Sequence, residues 1–187
     1  DTELFGPARR SRPHDDTVVL GYVGRLSVEK NVGLLPAIQR DLRARGISNT
    51  RFSIVGHGSE EPALRAALPD ALFPGVLKGE ALSAAYANMD VFIFPSETDT
   101  FGNVVLEALA SGVPALVTRG GGPKFIVKDG VTGLIRAPED FSTAIADLLG
   151  SPERLAGMRS AARQYATTCS WDSVFHDLQR AYEKAFP

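Results

Sequence analysis

Two basic residues occupy a short loop that follows an apolar run near the start of the chain. The loop has the sequence GRLSVEKN, with Arg25 directly after the run and Lys30 at the predicted start of a helix. Two cations beside the free N–H groups and the positive dipole end of a helix form a site for an anion such as a phosphate. The alternative is that Arg25 pairs with a carboxylate and Lys30 is solvated, and the loop taken alone favours that alternative.

A second loop carries acids and a glycine ahead of another predicted helix. Gly102 has no side chain, so the phosphates of a ligand could approach the N–H groups of Asn103 and Val104. Asp99 precedes this helix, and Glu107 lies about 7–8 Å along its axis. Two carboxylates at this separation could bind hydroxyls at the two ends of a sugar–diphosphate–ribose unit. The alternative for Glu107 is an exposed helix residue, but its apolar neighbours predict a largely buried helix, where an unpaired acid is costly.

Alternating strands and helices must position these two loops. The hydrophobic pattern predicts strands near 17–23, 52–55, 72–77, 90–95, 114–118 and 131–135. Helices are predicted near 30–45, 59–68, 80–89, 102–111, directly after Pro123, and at 138–149, 152–167 and 171–186. Crossover helices between strands imply a doubly wound parallel α/β sheet with extra C-terminal helices. Ligands of such sheets bind beyond the carboxyl ends of the strands, where both loops lie.

The composition is typical of a globular protein and excludes several other classes. The chain has 187 residues, of which 44% are apolar and 22% are charged, and this length corresponds to about one domain. Its net charge of −2 disfavours a general nucleic-acid binder. Cys169 is the only cysteine, so an intrachain disulfide and a cysteine-based zinc site are both excluded. No stretch approaches the roughly 18 consecutive apolar residues of a membrane span.

Three regions are expected along the chain. Residues 1–16 are polar, contain two prolines and predict an extended lead-in or linker. Residues 17–170 form the predicted α/β domain, and residues 171–187 form a last helix. An apolar stripe runs along one face of that helix: Trp171, Phe175, Leu178 and Tyr182. Because the chain opens on DTELFGP, without an initiator methionine or a signal peptide, we expect it to be part of a longer protein.

Four phrases of the sequence together resemble one large enzyme family. GRLSVEKN, FSIVGHG, DTFGNVVLEALASGVP and RGGGPKFIVKDGVTGLI occur in order over about residues 18–136. The combination resembles the C-terminal, donor-binding half of retaining glycosyltransferases (glycosyl transferases group 1, family 4), which have two facing Rossmann-like domains in the GT-B architecture. The opening DTELFGP is similar to the segment that links the two halves. The resemblance implies transfer of a sugar from a UDP- or GDP-sugar to a hydroxyl acceptor, with retention of configuration.

The resemblance also assigns roles to the charged residues of both loops. It implies that Arg25 and Lys30 grip the diphosphate, that Glu107 binds the ribose hydroxyls, and that Asp99 contacts the transferred sugar. The family usually has Glu where this chain has Asp99, and Glu97 is the alternative for this contact. The chain has no Asp-x-Asp cluster for a metal, so we expect no metal cofactor. The two cations and the helix N-terminus at Gly102 would then stabilise the charge on the leaving diphosphate.

Further contacts and partners follow from the same resemblance. Arg25, Lys30 and Asp99 are the predicted catalytic residues. The other predicted nucleotide contacts are Gly24, His57, Gly58, Val76, Leu77, Phe101, Gly102, Asn103 and Val104. The residue types alone predict that the glycines of Gly120–Gly122 form a flexible loop with unusual backbone angles, followed by a short helix that begins at Pro123. The expected partners are the nucleotide-sugar donor, an N-terminal acceptor domain of the same protein and a sugar or lipid acceptor. We expect a cytoplasmic location, at the inner face of the membrane if the other half makes a peripheral membrane contact.

Three other functions are weighed against this hypothesis. A NAD-dependent oxidoreductase would need G-x-G-x-x-G after a strand, and Glu61 stands where the third glycine would follow Gly56 and Gly58. A nucleotide-sugar epimerase of the same two-domain architecture uses a similar donor half, but the DTFGNVVLEALASG phrase favours a transferase. A non-catalytic nucleotide-sugar binding module stays open for these 187 residues alone.

Overall fold

A six-stranded parallel sheet runs through the part of the chain that the computed structural model describes, residues 1–13 and 16–169. Its strands are β1 (Val18–Val23), β2 (Thr50–Val55), β3 (Leu72–Gly75), β4 (Val91–Phe94), β5 (Ala115–Thr118) and β6 (Gly133–Arg136). The strand order across the sheet is β3-β2-β1-β4-β5-β6. The order reverses direction between β1 and β4, so the predicted doubly wound fold is confirmed.

The central strand β1 explains why the sequence shows a continuous apolar run rather than an alternating one. It pairs in parallel with β2 from Val18 opposite Thr50 to Val23 opposite Val55, and with β4 at Leu20 opposite Val91. Leu20 belongs to the core on one face of the sheet, whereas Val23 belongs to the core on the other face. A strand covered on both faces must be apolar at every position.

Six α-helices cover these two faces in the described part of the chain. They are α1 (Leu34–Ala44), α2 (Glu61–Ala67), α3 (Gly79–Ala87), α4 (Asn103–Ala110), α5 (Phe141–Leu149) and α6 (Pro152–Thr168). Helices α1, α2 and α5 contribute to the core around Leu20, whereas α3 and α4 contribute to the core around Val23. Helix α6 supplies Met158 to the first core and Ala162 to the second. None of the helices described is long and apolar enough to cross a membrane.

The first helix begins later than the sequence predicts. Val28–Lys30 form a turn of 3₁₀-helix, Asn31 then takes a left-handed conformation with φ of 53°, and α1 begins only at Leu34. The Asn31 side chain donates to the carbonyl of Pro95, at 3.4 Å. This contact with the loop after β4 accompanies a backbone conformation that interrupts the helix. Lys30 therefore lies at the end of a short turn, and the N-terminus of α1 does not adjoin it.

The N-terminal residues pack on the domain rather than extending away from it. Pro7–Arg9 form a 3₁₀ turn, and the side chain of Phe5 is buried in the core around Val23. The buried carboxylate of Asp90 binds Arg10 at 2.9 Å and Arg12 at 3.0 Å. Residues 1–13 are thus fixed by apolar and ionic contacts, and their role as a linker between two domains stays a prediction.

Part of the predicted C-terminal region cannot be compared with the structure. The helix expected at 171–186, with its stripe of Trp171, Phe175, Leu178 and Tyr182, lies outside the described residues. So does the boundary at 170 between the two predicted regions.

Candidate functional site

The loops that follow β1 and β4 meet at the point where the strand order reverses. Lys30 in the first loop and Asp99 in the second form an ion pair, with 2.8 Å between Nζ and Oδ1. Their side chains are only 18% and 24% exposed. The crevice between such loops is the usual ligand site of an open α/β sheet. The structure thus brings together two of the three predicted catalytic residues, and Lys30 is paired rather than solvated.

The two carboxylate oxygens of Asp99 are in different situations. Oδ1 accepts the hydrogen bond from Lys30, whereas Oδ2 is buried and has no hydrogen-bond partner among the described residues. A buried carboxylate oxygen without a donor is costly, and a ligand hydroxyl placed there would remove that cost. The alternative acid, Glu97, is exposed at the start of the same loop.

The glycines after β5 hold the Asp99 loop in place. The N–H of Gly122 donates to the carbonyl oxygen of Asp99 at 2.7 Å. A Cβ atom on Gly122 would collide with the carbonyl oxygen of Thr100, so only glycine allows this approach. The predicted unusual angle occurs at Gly121, where φ is 67°, and Pro123 begins a 3₁₀ turn. The bracing contact itself was not predicted, because the sequence does not show which loop would lie opposite.

Arg25 extends from the same crevice into solvent. Its Nη1 lies 3.0 Å from Oε1 of Glu29, and its side chain is 69% exposed. The alternative prediction, that Arg25 pairs with a carboxylate, is therefore present in the structure, but the pair leaves most guanidinium N–H donors open to an anion. The Arg25 carbonyl accepts a hydrogen bond from the buried hydroxyl of Tyr22 at 2.8 Å. Burial raises the pKa of Tyr22, and the nearby carboxylate of Asp99 raises it further.

The His57 loop lies directly against the Arg25 loop. The N–H of Leu26 donates to the carbonyl of His57 at 3.0 Å. Cβ atoms on Gly56 and Gly58 would collide with the carbonyl oxygens of Gly24 and Leu26. The glycines on both sides of His57 therefore allow two backbones to touch. The predicted contacts Gly24, His57 and Gly58 are brought together beside Arg25.

The His57 ring is mostly exposed and contacts one acid. Its Nδ1 lies 3.1 Å from Oε2 of Glu61, whose other oxygen binds Arg65 at 2.8 Å. The hydrogen bonds from Arg65 and His57 lower the pKa of Glu61. The ring is thus oriented by a carboxylate while its remaining edge is open to a ligand.

Glu107 is a half-buried residue of α4 rather than an exposed one. Its Oε2 accepts a hydrogen bond from the hydroxyl of Tyr86 at 2.9 Å. Burial raises the pKa of Glu107, although the hydrogen bond from Tyr86 opposes this effect. Sequence reasoning predicted a largely buried helix but missed Tyr86, which lies on α3. Among the described residues, no hydrogen bond or ion pair joins Glu107 to Lys30 or Asp99.

The remaining predicted contacts lie around the same edge of the sheet. Gly102 caps α4 in a left-handed conformation with φ of 99°. Asn103 is exposed and Val104 is half-buried in the first turn of that helix. Large exposed apolar side chains project from the loops after β1, β3, β4 and β5: Val28, Val76, Phe101 and Phe125. Leu77 is half-buried and packs against the core around Val23.

The described residues hold no recognisable metal centre. Residues 1–13 and 16–169 contain no group of three or more His, Cys, Asp or Glu side chains that could hold a metal ion. Two acids near this edge of the sheet have basic or hydroxyl partners instead, Asp99 with Lys30 and Glu107 with Tyr86. Binding of an anion without a metal stays a prediction.

Comparison with known proteins identifies the family. The sequence profile of "Glycosyl transferases group 1" matches residues 17–151. A GDP-mannose-dependent alpha-mannosyltransferase of Corynebacterium glutamicum is 34% identical over 97% of this chain and 45% of that protein. Sucrose-phosphate synthase from Thermosynechococcus elongatus matches the fold with a TM-score of 0.80 and 24% identity, over 100% of this chain and 51% of that one. The HepE protein of Anabaena in complex with UDP matches with a TM-score of 0.75 and 21% identity, over 97% and 55%.

These matches agree on the extent of the similarity. The chain spans about half the length of the curated relatives it matches. The sequence identity to the solved structures is below 25%, so these matches support the fold alone. That fold is one Rossmann-like half of a GT-B protein. The profile match covers most of the described domain. The chain belongs to the glycosyl transferases group 1 family.

Proposed function

We propose that this chain is the nucleotide-sugar-binding half of a retaining glycosyltransferase. The transferred sugar would pass from a UDP- or GDP-sugar to a hydroxyl group of a sugar or lipid acceptor. The observation that carries the proposal is the Lys30–Asp99 pair, which joins the loops after β1 and β4 at the switch point of the sheet. A cation and an acid side by side suit a ligand that has a phosphate next to a sugar hydroxyl.

The diphosphate would bind to the cations of the first loop. The Lys30 ammonium has three N–H donors, and Asp99 accepts one of them. The Arg25 guanidinium, paired only with Glu29 among the described residues, has further donors directed to solvent. When the bond between sugar and phosphate breaks, negative charge develops on the leaving diphosphate. Donors that are already in place stabilise that charge without reorganisation, which lowers the barrier.

The two acids would bind hydroxyl groups of the donor. Oδ2 of Asp99 is buried and has no donor within residues 1–13 and 16–169, so it suits a hydroxyl of the transferred sugar. Glu107 has one oxygen bound to Tyr86, and the other would accept from the ribose. The N–H groups at the start of α4, which follow Gly102, would bind the phosphates. The missing side chain of Gly102 makes room for Pro123, whose Cγ would lie 2.9 Å from a Cβ there, so the predicted space for the phosphates at this glycine is wrong.

The identity of the donor and the rest of the protein are parts of the same proposal. The Corynebacterium relative is named for GDP-mannose, and the Anabaena structure holds UDP, so both nucleotides are candidates. The relatives are about twice as long as this chain, which supports an acceptor-binding domain elsewhere in the complete protein. This chain alone would then bind the nucleotide but not transfer the sugar. A cytoplasmic location, with peripheral contact at the inner face of the membrane, is proposed for the complete protein.

Titration calorimetry of this chain with UDP, GDP and ADP tests the proposal. Arg25→Ala should weaken nucleotide binding about ten- to hundredfold, because a charge-assisted contact is worth about 1.5–3 kcal/mol. Arg43→Ala is the matched control, since Arg43 also forms an exposed ion pair, with Asp70 at 2.8 Å, but lies on α1. Failure of all three nucleotides to bind the folded chain would refute the proposal. Equal affinities of the two variants would refute the role of Arg25.

A further inference from the structure

Glu107 is connected to the N-terminal residues of the chain by two direct contacts. The hydroxyl of Tyr86 donates to Oε2 of Glu107 at 2.9 Å. The ring of Phe5 packs edge-on against the ring of Tyr86, with 5.7 Å between the centroids and an angle of 80° between the planes. Both aromatic side chains are buried. A continuous path of packed groups therefore runs from residues 1–13 to the carboxylate.

The position of Phe5 is itself fixed by hydrogen bonds from two helices. The guanidinium of Arg163 on α6 donates to the carbonyl of Phe5 at 2.7 Å and to that of Thr2 at 3.0 Å. On α3, the hydroxyl of Ser83 donates to the carbonyl of Leu4. The backbone around Phe5 cannot move without breaking these bonds.

The ring of Tyr86 is confined on its other side as well. Phe92 in β4 lies 5.7 Å from it, centroid to centroid. A fully buried ring packed against two aromatic neighbours has little freedom to move, so the direction of its hydroxyl is set by packing. The hydroxyl then selects which oxygen of Glu107 is occupied. The second oxygen, Oε1, receives no hydrogen bond from the described residues and stays available.

We propose that Tyr86 positions Glu107 for the ribose of the nucleotide, and that Phe5 holds Tyr86 in place, so that residues 1–13 are coupled to the nucleotide site. This inference rests on the proposed function, because it takes Glu107 to bind ribose hydroxyls. It predicts that a change at Phe5 or Tyr86 weakens nucleotide binding although neither residue contacts the ligand. By linkage, nucleotide binding must stabilise the packed state of residues 1–13 to the same extent.

The pKa of Glu107 distinguishes a positioning role of Tyr86 from a general loss of stability in the variant. Burial raises the pKa of Glu107, whereas the hydrogen bond from the hydroxyl of Tyr86 lowers it. Removing the Tyr86 hydroxyl should therefore raise the pKa of Glu107 further. A carboxylate accepts hydrogen bonds from hydroxyls best when it is ionised. As the pH is lowered, nucleotide affinity should therefore begin to fall at a higher pH in the variant than in the unmodified chain.

The first experiment measures GDP and UDP affinity of Tyr86→Phe from about pH 5 to about pH 8. We expect affinity to fall about three- to tenfold at neutral pH, since part of a hydrogen bond to a charged group is lost. The acid limb of the affinity profile should also move to higher pH. Tyr165→Phe is the control, because Tyr165 on α6 is a half-buried phenol that packs against the same core, and among the described residues no hydrogen bond joins it to Glu107.

The outcomes separate this inference from the proposed function. If the unmodified chain binds neither nucleotide, the proposed function fails and the inference fails with it. If the unmodified chain binds but Tyr86→Phe and Tyr165→Phe give the same affinity and the same pH profile, the positioning role is refuted and the proposed function stands.

A second experiment tests the coupling from the other direction, and it does not depend on the Tyr86 variant. Trypsin cleaves after Arg9 and Arg10 faster when the backbone around them opens from the domain, so the cleavage rate reports the packing of residues 1–13. We expect saturating GDP or UDP to slow this cleavage in the unmodified chain. In Phe5→Leu we expect faster cleavage and weaker nucleotide binding, with the sheet still folded by circular dichroism. Cleavage at the same rate with and without bound nucleotide would overturn the coupling.

Discussion

Lys30→Met removes the ammonium from the ion pair at the switch point while keeping a chain of similar length. In the structure Nζ lies 2.8 Å from Oδ1 of Asp99, and the two side chains are 18% and 24% exposed. Oδ2 of the same carboxylate already has no partner among the described residues. The substitution therefore leaves a largely buried carboxylate with neither oxygen hydrogen-bonded to a side chain.

The magnitude follows from the loss of a charge-assisted contact. A hydrogen bond between charged groups contributes about 1.5–3 kcal/mol. Because both side chains keep some exposure and water can replace part of the bond, we expect the free energy of unfolding to fall by about 1–2 kcal/mol. The contact that we propose between Lys30 and a diphosphate would be lost in full, which corresponds to a GDP affinity about ten- to hundredfold lower.

Asp99→Asn separates the two roles of the pair. The amide has no charge to repel a diphosphate, so GDP affinity should stay the same or rise, while the affinity for a GDP-sugar should fall with the lost sugar contact. In the double variant no unpaired carboxylate is left. We therefore expect its loss of stability to be smaller than the sum of the two single losses, by about 0.5–3 kcal/mol.

The assays are urea unfolding for stability and titration calorimetry for GDP and a GDP-sugar. Arg43→Met, which breaks the exposed pair with Asp70, is the control for loss of a cation elsewhere. The reasoning is refuted if Lys30→Met binds GDP within about twofold of the unmodified chain. It is also refuted if the two single stability losses simply add.

Two further predictions concern metal dependence and acid stability. EDTA should leave GDP and UDP binding unchanged, and calorimetry in which Mg²⁺ or Mn²⁺ restores a lost signal would contradict this. Burial alone would raise the pKa of Asp90, but the N–H of Val19 and the guanidinium groups of Arg10 and Arg12 outweigh it and hold the pKa below the ordinary 3.8. A lowered folded-state pKa gives stability that is present above about pH 4 and is lost as the pH falls through the folded value. Asp90→Asn should therefore lower the free energy of unfolding at neutral pH by about 3–5 kcal/mol, as measured by urea unfolding. Below pH 4 the variant should lose less further stability than the unmodified chain. Equal losses of stability in acid would contradict this.

The fold was predictable because its strands carry signals that depend only on local sequence. Runs such as Val91–Phe94 are apolar throughout and are separated by helices with helical periodicity, and this pattern alone implies a parallel sheet. The start of α1 was not predictable in the same way. Asn31 leaves the helical conformation beside a contact with Pro95, a residue distant in sequence, and a helical pattern cannot reveal that.

The candidate site likewise has features that the sequence predicts and features that depend on packing between distant elements. The strand pattern was enough to expect the loops of Lys30 and Asp99 at one edge of the sheet, because ligands of such sheets bind beyond the carboxyl ends of the strands. The roles of the two residues came from the family resemblance and stay predictions. The partner of Glu107 was not predictable, since Tyr86 lies on another helix and its position depends on how α3 and α4 pack. Phe5 was missed for a different reason: one aromatic residue in a polar, proline-containing stretch has no periodicity to indicate burial.

The reversal of strand order between β1 and β4 also determines when the site can first exist during synthesis. Lys30 and Asp99 are 69 residues apart, and the first two strands that form between them, β2 and β3, lie on the opposite side of β1 from β4. At a ribosomal rate of about 5–20 residues per second, Asp99 is synthesised about 3–14 s after Lys30. Until β4 emerges, one side of β1 is an unpaired apolar edge, which is the kind of surface that chaperones cover and that aggregates recruit. A ligand that needs both Lys30 and Asp99 therefore cannot stabilise the early part of the chain, and it can bind only after β4 has joined the sheet.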